Sequence, residues 1–208
     1  MLETGSKRAG ALAAAALLGA ALWWRRHPSA CPYNQRFWVQ APHPLITRPR
    51  LREALAPRPG ERLLEVGPGT GYYALEVAEW IGPDGRLDVF DLQQEMLDHT
   101  LLRAEQRGIA NLVAVQGDAR ELPYGDHELD GAYLVTVLGE IPDEEAALRE
   151  LARVVKPGGR VVVGELFGDP HWVSPRALRR RAERAGLRLE RRLGTPLGYF
   201  ARLAVPAA

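Results

Sequence analysis

The chain has 208 residues, which is long enough for one well-buried domain with an N-terminal extension. Hydrophobic residues make up 46% and charged residues 25%, as in ordinary globular proteins. The formal net charge of +1 argues against a nucleic-acid partner. The single cysteine, Cys31, excludes an internal disulfide framework and suits a reducing, cytoplasmic location. No cysteines and histidines stand at zinc-ligand spacing, so we predict no metal.

The first predicted element is an apolar segment, residues 9–24, which contains only Ala, Gly, Leu and Trp. As a helix it would be roughly 24 Å long, against roughly 30 Å of bilayer hydrocarbon. Basic residues flank it, with Arg25 and Arg26 where a signal-peptide cleavage site would lie. Three interpretations stay open: a signal peptide, an anchor or interfacial helix on the cytoplasmic face of a membrane, and a helix packed on the domain or frayed in solution.

A region rich in proline and aromatic residues follows, between Pro28 and Pro59. Its prolines disfavour a long helix or a regular sheet, and its aromatic residues are unusual for a linker. We therefore predict an arm or cap on the catalytic domain, with a short helix near Arg50–Leu55. The predicted organisation is a hydrophobic segment (1–27), this arm or cap (28–59) and an α/β domain (60–208).

From residue 60 onward, apolar runs alternate with segments of helical length. The predicted strands are Arg62–Val66, Arg86–Asp91, Leu112–Gln116, Gly131–Leu138, Arg160–Glu165, Leu187–Leu193 and Tyr199–Ala204. The predicted helices are Tyr72–Ile81, Gln93–Arg107, Pro142–Val155 and a helix capped by Ser174 that runs to Ala185. This alternation predicts a doubly wound, mostly parallel seven-stranded sheet with helices on both faces and a ligand crevice at the carboxyl ends of its strands.

The strongest local motif, Glu65-Val-Gly-Pro-Gly-Thr-Gly71, lies between the first strand and the first helix of this domain. Its glycines let the backbone approach a ligand closely. A dinucleotide fingerprint needs its third small residue at the position that Tyr72 occupies, and a Walker loop needs Gly-Lys-Ser/Thr, which is absent. The loop is therefore typical of a cofactor other than a pyrophosphate.

This loop resembles the first motif of class I S-adenosylmethionine-dependent methyltransferases. Further motifs follow in the family's order: Asp91 after the second strand, Gly117-Asp118-Ala119 after the third, Asp130–Thr136 as the fourth, and a late helix–turn–strand over Leu151–Glu165. Together they cover about half the chain. Within the class, the chain is most similar to the ubiquinone/menaquinone-biosynthesis type and to small membrane-associated methyltransferases.

The resemblance implies S-adenosylmethionine as the methyl donor. It also implies that Asp91 binds the ribose hydroxyls, that Asp118 faces the adenine amine, and that the end of the fourth strand borders the methyl group. The residues expected at the donor are Glu65, Gly67, Gly69, Gly71, Tyr72, Asp91, Leu92, Asp118, Ala119 and Thr136. The carboxylate of Glu65 and the nearby aromatic faces suit a positively charged sulfur.

Methyl transfer releases a neutral thioether, so only the acceptor's proton needs a base. Candidate bases are Glu140, just past the fourth strand, and His171, past the fifth, while His43 lies in the predicted arm. For Glu140 a structural role in its loop is an equal alternative, and for the histidines it is the favoured one. The resemblance implies a small, apolar acceptor; a soluble metabolite, a non-catalytic donor-binding protein and a dehydrogenase remain alternatives. The acceptor atom and the oligomeric state stay open.

Overall fold

The computed structural model describes residue 19, residues 28–37 and residues 43–207. The predicted apolar helix over residues 9–24 therefore lies outside the described residues, Gly19 excepted, as do parts of the predicted arm. Among the residues that the structure does describe, no helix combines the length and the apolar character needed to cross a bilayer.

The described chain forms one seven-stranded sheet with helices on both faces. The strands are β1 (Arg62–Val66), β2 (Arg86–Asp91), β3 (Leu112–Gln116), β4 (Leu129–Val135), β5 (Val155–Leu166), β6 (Arg188–Thr195) and β7 (Gly198–Ala204). The helices are α1 (Arg48–Leu55), α2 (Ala74–Ile81), α3 (Gln94–Gln106), α4 (Glu144–Val154) and α5 (Pro175–Arg184). The sheet order is β3-β2-β1-β4-β5-β7-β6, which confirms the predicted α/β architecture.

The first five strands run parallel, and β7 is antiparallel to both of its neighbours. Apolar residues are buried on both faces of the sheet, one group under α4 and α5 and the other under α1, α2 and α3. Strand order reverses at β1, which pairs with β2 on one side and β4 on the other. In such sheets the crevice at this reversal is the usual ligand site.

Two strand boundaries differ from the sequence prediction by three residues or more. The fourth strand was expected over Gly131–Leu138, but it ends at Val135, because Thr136 has a φ of +56° and breaks the extended run. The fifth was expected to begin at Arg160 after a Pro-Gly-Gly turn. It begins at Val155, and the turn forms an irregularity in the pairing with β4, with Gly158 at a φ of +76°.

The predicted helices keep their positions with small shifts at their ends. The second helix begins at Ala74 instead of Tyr72, since Tyr72 belongs to the turn that leaves the glycine loop. The helix expected near Arg50 begins two residues earlier, with a proline in its first turn, where no backbone N–H is needed. Ser174 caps α5 as predicted, and its hydroxyl accepts the N–H of Ala177.

Candidate active site

A cavity of about 820 Å³ opens at the carboxyl ends of β1 to β5. The segments that follow these five strands contribute to its wall, and so do residues 28–32 from the N-terminal side. Of the residues expected at the donor, seven line the cavity: Gly67, Gly69, Asp91, Leu92, Asp118, Ala119 and Thr136. Both candidate bases, Glu140 and His171, line it too, as does His43.

The glycine loop, residues 67–71, has its first, third and fifth residues at φ of +69°, +56° and +77°, which side chains disfavour. A Cβ on Gly67 would lie 2.4 Å from a methyl of Val137, so this position needs glycine for space as well. Two backbone carbonyls of the loop accept hydrogen bonds from side chains of α3. Thr100 donates its hydroxyl to the carbonyl of Gly69 (3.1 Å), and Arg103 donates to that of Thr70.

Asp91 is the last residue of β2 and lies at the crevice end of this strand. Its Oδ1 accepts the backbone N–H of Gln93 at 2.9 Å. Burial raises the pKa of Asp91 to about 6, although backbone N–H groups oppose the shift. Asp118, after β3, is more exposed and forms a multiple hydrogen bond with Arg120, which holds its pKa below the usual range.

Three of the residues predicted at the donor do not appear in the cavity wall: Glu65, Gly71 and Tyr72. Glu65 is fully buried and accepts a 2.7 Å hydrogen bond from the hydroxyl of Tyr133 on β4; its burial raises its pKa to about 8. Gly71 lies against Thr100 of α3. The ring of Tyr72 lies under the guanidinium of Arg48 (4.2 Å from the ring centre) and packs edge-on against His43.

Carboxyl groups gather at the β4–β5 end of the cavity. Glu140 belongs to a single 3₁₀ turn, Leu138–Glu140, and its Oε2 accepts the backbone N–H of Cys31 at 3.2 Å. Burial and, second, the charge of Asp169 raise the pKa of Glu140 to about 8. Asp169 also lines the cavity and accepts the backbone N–H of His171 at 2.7 Å. The two candidate bases thus belong to neighbouring loops.

Several wall residues were not anticipated from the sequence: Cys31, Gln93, Met96, Arg120 and Asp169. Arg120 and Gln93 each lie two residues beyond a predicted donor carboxylate, so the spacing of the motifs could have suggested them. Cys31 and Asp169 reach the cavity only through the folding of distant segments, and no sequence pattern indicates them.

Comparison with known proteins identifies relatives of this chain by sequence. Residues 42–171 match the model of the ubiE/COQ5 methyltransferase family. The ubiquinone/menaquinone biosynthesis C-methyltransferase UbiE of Ectopseudomonas mendocina is 38% identical over 114 residues, 54% of this chain and 44% of its own. The UbiE of Cellvibrio japonicus is 37% identical over 57% of this chain and 48% of its own. The chain thus spans about half the length of the curated relatives it matches.

Solved structures agree on the fold at lower sequence identity. A SAM-dependent methyltransferase from Aquifex aeolicus superposes with a TM-score of 0.78 at 18% identity, over 85% of this chain and all of the other. The YcgJ protein of Bacillus subtilis gives a TM-score of 0.62 at 20% identity, over 70% of this chain and 71% of the other. These likenesses establish a Rossmann-like methyltransferase fold.

Proposed function

Because the chain belongs to the ubiE/COQ5 methyltransferase family, whose methyl donor is S-adenosylmethionine, we propose that it methylates a small, mainly apolar acceptor. The acceptor would be a quinone ring, a lipid headgroup, a phenol or a thiol. The observation that carries this proposal is the continuous cavity, which joins the glycine loop and Asp91 to a chamber after β4 and β5.

The β1–β3 side of the cavity has the chemistry that the donor needs. Gly67 and Gly69 present bare backbone, and Asp91 offers a carboxylate that can accept two ribose hydroxyls. Asp118 and Ala119 would flank the adenine, and Leu92 supplies an exposed apolar side chain beside it. When bound there, S-adenosylmethionine supplies an electrophilic methyl group on a positively charged sulfur.

The β4–β5 side is assigned to the acceptor. Its wall is largely aliphatic, with Val135, Val137, Ile141, Pro142 and Leu166 among its residues. Glu140, Asp169 and His171 add polar groups from the loops after β4 and β5, and a mainly apolar wall with a few polar groups is the usual composition of a small-molecule site. Thr136 stands between the two sides, at the end of β4. A close fit around an apolar acceptor would align it with the methyl group, and alignment supplies much of the acceleration in such displacements.

Glu140 is assigned as the base that takes the acceptor's proton. Its pKa of about 8 means that the ionised, active form increases with pH up to that value. For the wild type we expect kcat/KM to rise about tenfold per pH unit between pH 6 and 8 and to level off above pH 8. Glu140→Gln should lower kcat by about 10²-fold and abolish this rise. Steady-state rates between pH 6 and 9 measure both effects.

Glu144→Gln is the matched control for Glu140→Gln. Glu144 also has a pKa raised by burial, to about 7, but it pairs with Arg181 (2.8 Å) and does not line the cavity. Its replacement should leave the pH profile unchanged. His171→Ala tests the second candidate. Near-wild-type turnover in both Glu140→Gln and His171→Ala would mean that neither is the base.

Attachment to the cytoplasmic face of a membrane is proposed through residues 9–24. What supports it is the sequence of this segment, which is apolar and has Lys7 and Arg8 before it and Arg25 and Arg26 after it. Such attachment would bring the cavity close to an acceptor dissolved in lipid. No nucleic-acid partner is proposed, since the net charge is only +1.

The decisive experiment supplies the purified full-length chain with S-adenosylmethionine labelled on its methyl and with a total extract of the source cells. The mixture is then partitioned into organic and aqueous phases. We expect label in the organic phase, in one species identifiable by mass, and none with Asp91→Ala. Label confined to the aqueous phase, or to protein or RNA, would contradict the apolar acceptor. No labelled product at all would favour a non-catalytic donor-binding protein.

A further inference from the structure

Residues 28–35, here called the strap, cross the mouth of the cavity. Both backbone polar groups of Cys31 in the strap form hydrogen bonds with the domain. The N–H of Cys31 donates to Oε2 of Glu140 (3.2 Å), and the carbonyl of Cys31 accepts from Nε2 of Gln93 (2.9 Å). Glu140 follows β4 and Gln93 follows β2, and β1 lies between these two strands. Neighbouring strands are about 4.8 Å apart, so Cys31 spans the end of β1, where the glycine loop begins.

Gln93 holds the strap with both ends of its side-chain amide. While Nε2 donates to the carbonyl of Cys31, Oε1 accepts the backbone N–H of Tyr33 at 3.1 Å. The backbone N–H of the same glutamine donates to Asp91, the carboxylate assigned to the ribose. One residue therefore connects the donor carboxylate to the segment that covers the cavity.

The strap is held mainly by polar contacts. Every residue from 28 to 37 keeps some solvent exposure. Beyond Gln93 and Glu140, the hydroxyl of Tyr33 lies 3.3 Å from Nδ1 of His99 on α3. Segments with few buried apolar contacts open locally at low cost. The two hydrogen bonds from the Gln93 amide are therefore expected to influence how often this strap opens.

We propose that Gln93 is a positioning residue that latches the strap over the cavity and couples its closure to the occupation of Asp91. The inference rests on the proposed function, because Asp91 is taken as the ribose-binding carboxylate. A ligand held by Asp91 fixes the turn Asp91–Gln93 and so presents the amide of Gln93 to the strap. The closed strap in turn slows the escape of the ligand and shields the acceptor side from water.

The test uses the full-length chain and S-adenosylhomocysteine as the probe, with Gln93→Leu as the variant. Leucine keeps the bulk of glutamine and removes both amide contacts. NMR amide exchange is read at Tyr33, whose N–H is bonded to Gln93, and at Cys31, whose N–H is bonded to Glu140. We expect Gln93→Leu to speed exchange of the Tyr33 amide about tenfold in the free protein, and by more in the complex. The dissociation rate of the probe should rise about tenfold.

Gln94→Leu is the matched control, because Gln94 is exposed and, within the described part of the chain, its side-chain amide donates to Asp98 one turn along α3. In Gln94→Leu, the exchange rate of the Tyr33 amide and the dissociation rate of the probe should equal those of the wild type. An unchanged Tyr33 amide in free Gln93→Leu would overturn the latch. A faster Tyr33 amide with an unchanged dissociation rate would overturn the coupling. Failure of the wild type to bind S-adenosylhomocysteine would instead refute the proposed function, and the coupling with it, while the free-protein exchange still reports on the latch.

Discussion

Asp91→Ala is expected to weaken the binding of S-adenosylhomocysteine by at least about 10²-fold. Hydrogen bonds to a charged partner contribute about 1.5–3 kcal/mol each, and the variant loses the carboxylate assigned to two ribose hydroxyls. The folded protein itself should not suffer comparably, because burial raises the pKa of Asp91 to about 6 and its ionised form is already costly in the free protein. Titration calorimetry measures the affinity, and urea unfolding measures the stability.

The pH dependence gives this prediction a second readout. The pKa of Asp91 in the free protein is about 6, and a carboxylate that accepts two hydroxyl protons is favoured in its ionised form in the complex. Affinity in the wild type should therefore fall as the pH drops below about 6, by at most tenfold per unit. Asp91→Asn should bind weakly without this dependence. An Asp91→Ala variant that binds like the wild type would refute the assignment of this carboxylate.

Asp118→Ala is the natural comparison. Asp118 lies two residues beyond the end of β3, whereas Asp91 is the last residue of β2. Arg120 already engages both carboxylate oxygens of Asp118, and this side chain is 39% exposed. A hydrogen bond at such a solvated site contributes less than one at a buried site. We expect an effect of less than about tenfold. If Asp118→Ala and Asp91→Ala lowered the affinity for S-adenosylhomocysteine equally, the assignment of Asp91 to the ribose and Asp118 to the adenine would be wrong.

The parallel part of the sheet, β1 to β5, was predictable because each of these strands carries its own sequence signal. Apolar runs of five to seven residues, ended by glycine or an acidic residue, indicate buried parallel strands without knowledge of their partners. The glycine loop and Asp91 were predictable too. The positive φ angles of the loop require glycine, and Asp91 is the acidic residue that ends its strand. At Thr136 this logic failed, because a β-branched residue at a φ of +56° is not expected from sequence and terminates β4 early.

The acceptor side of the cavity was less predictable, because it is built from segments far apart in the chain. Cys31 and Glu140 are separated by 109 positions, and their hydrogen bond depends on how residues 28–32 cross the sheet. Side-chain direction was the other difficulty. Glu65 stands beside Tyr133 in the register of β1 and β4 and bonds to its hydroxyl, a pairing that depends on which strand becomes the neighbour.

Gly139→Ala is expected to have the largest effect among substitutions on the acceptor side. A Cβ at Gly139 would lie 1.7 Å from the carbonyl oxygen of His171 and 2.8 Å from its carbonyl carbon. Both are backbone atoms, so no side-chain rotation relieves the clash, and the two loops must separate. Overpacking of this kind costs about 1–3 kcal/mol, and we expect the free energy of unfolding to fall by an amount in or above that range.

The consequence for activity follows from what the two loops carry. Gly139 precedes Glu140, and the opposing loop contains Asp169 and His171, so their separation displaces the groups assigned to the acceptor's proton. A displacement of about 1 Å at a reacting centre can cost about 10²-fold in rate. We therefore expect turnover to fall by about that factor while the affinity for S-adenosylhomocysteine changes severalfold at most, since Asp91 and the glycine loop lie on the other side of Thr136.

Gly125→Ala provides the control for this prediction. Gly125 also lies in a loop, but a Cβ there would meet only the flexible carboxylate of Glu128, at an ordinary 3.5 Å. Its replacement should leave stability and turnover near wild type. If Gly139→Ala lowered donor affinity and turnover equally, the displacement would extend to the donor side of the cavity as well. If it left turnover intact, the close approach of the two loops would be irrelevant to catalysis, and the assignment of Glu140 as the base would lose its structural support.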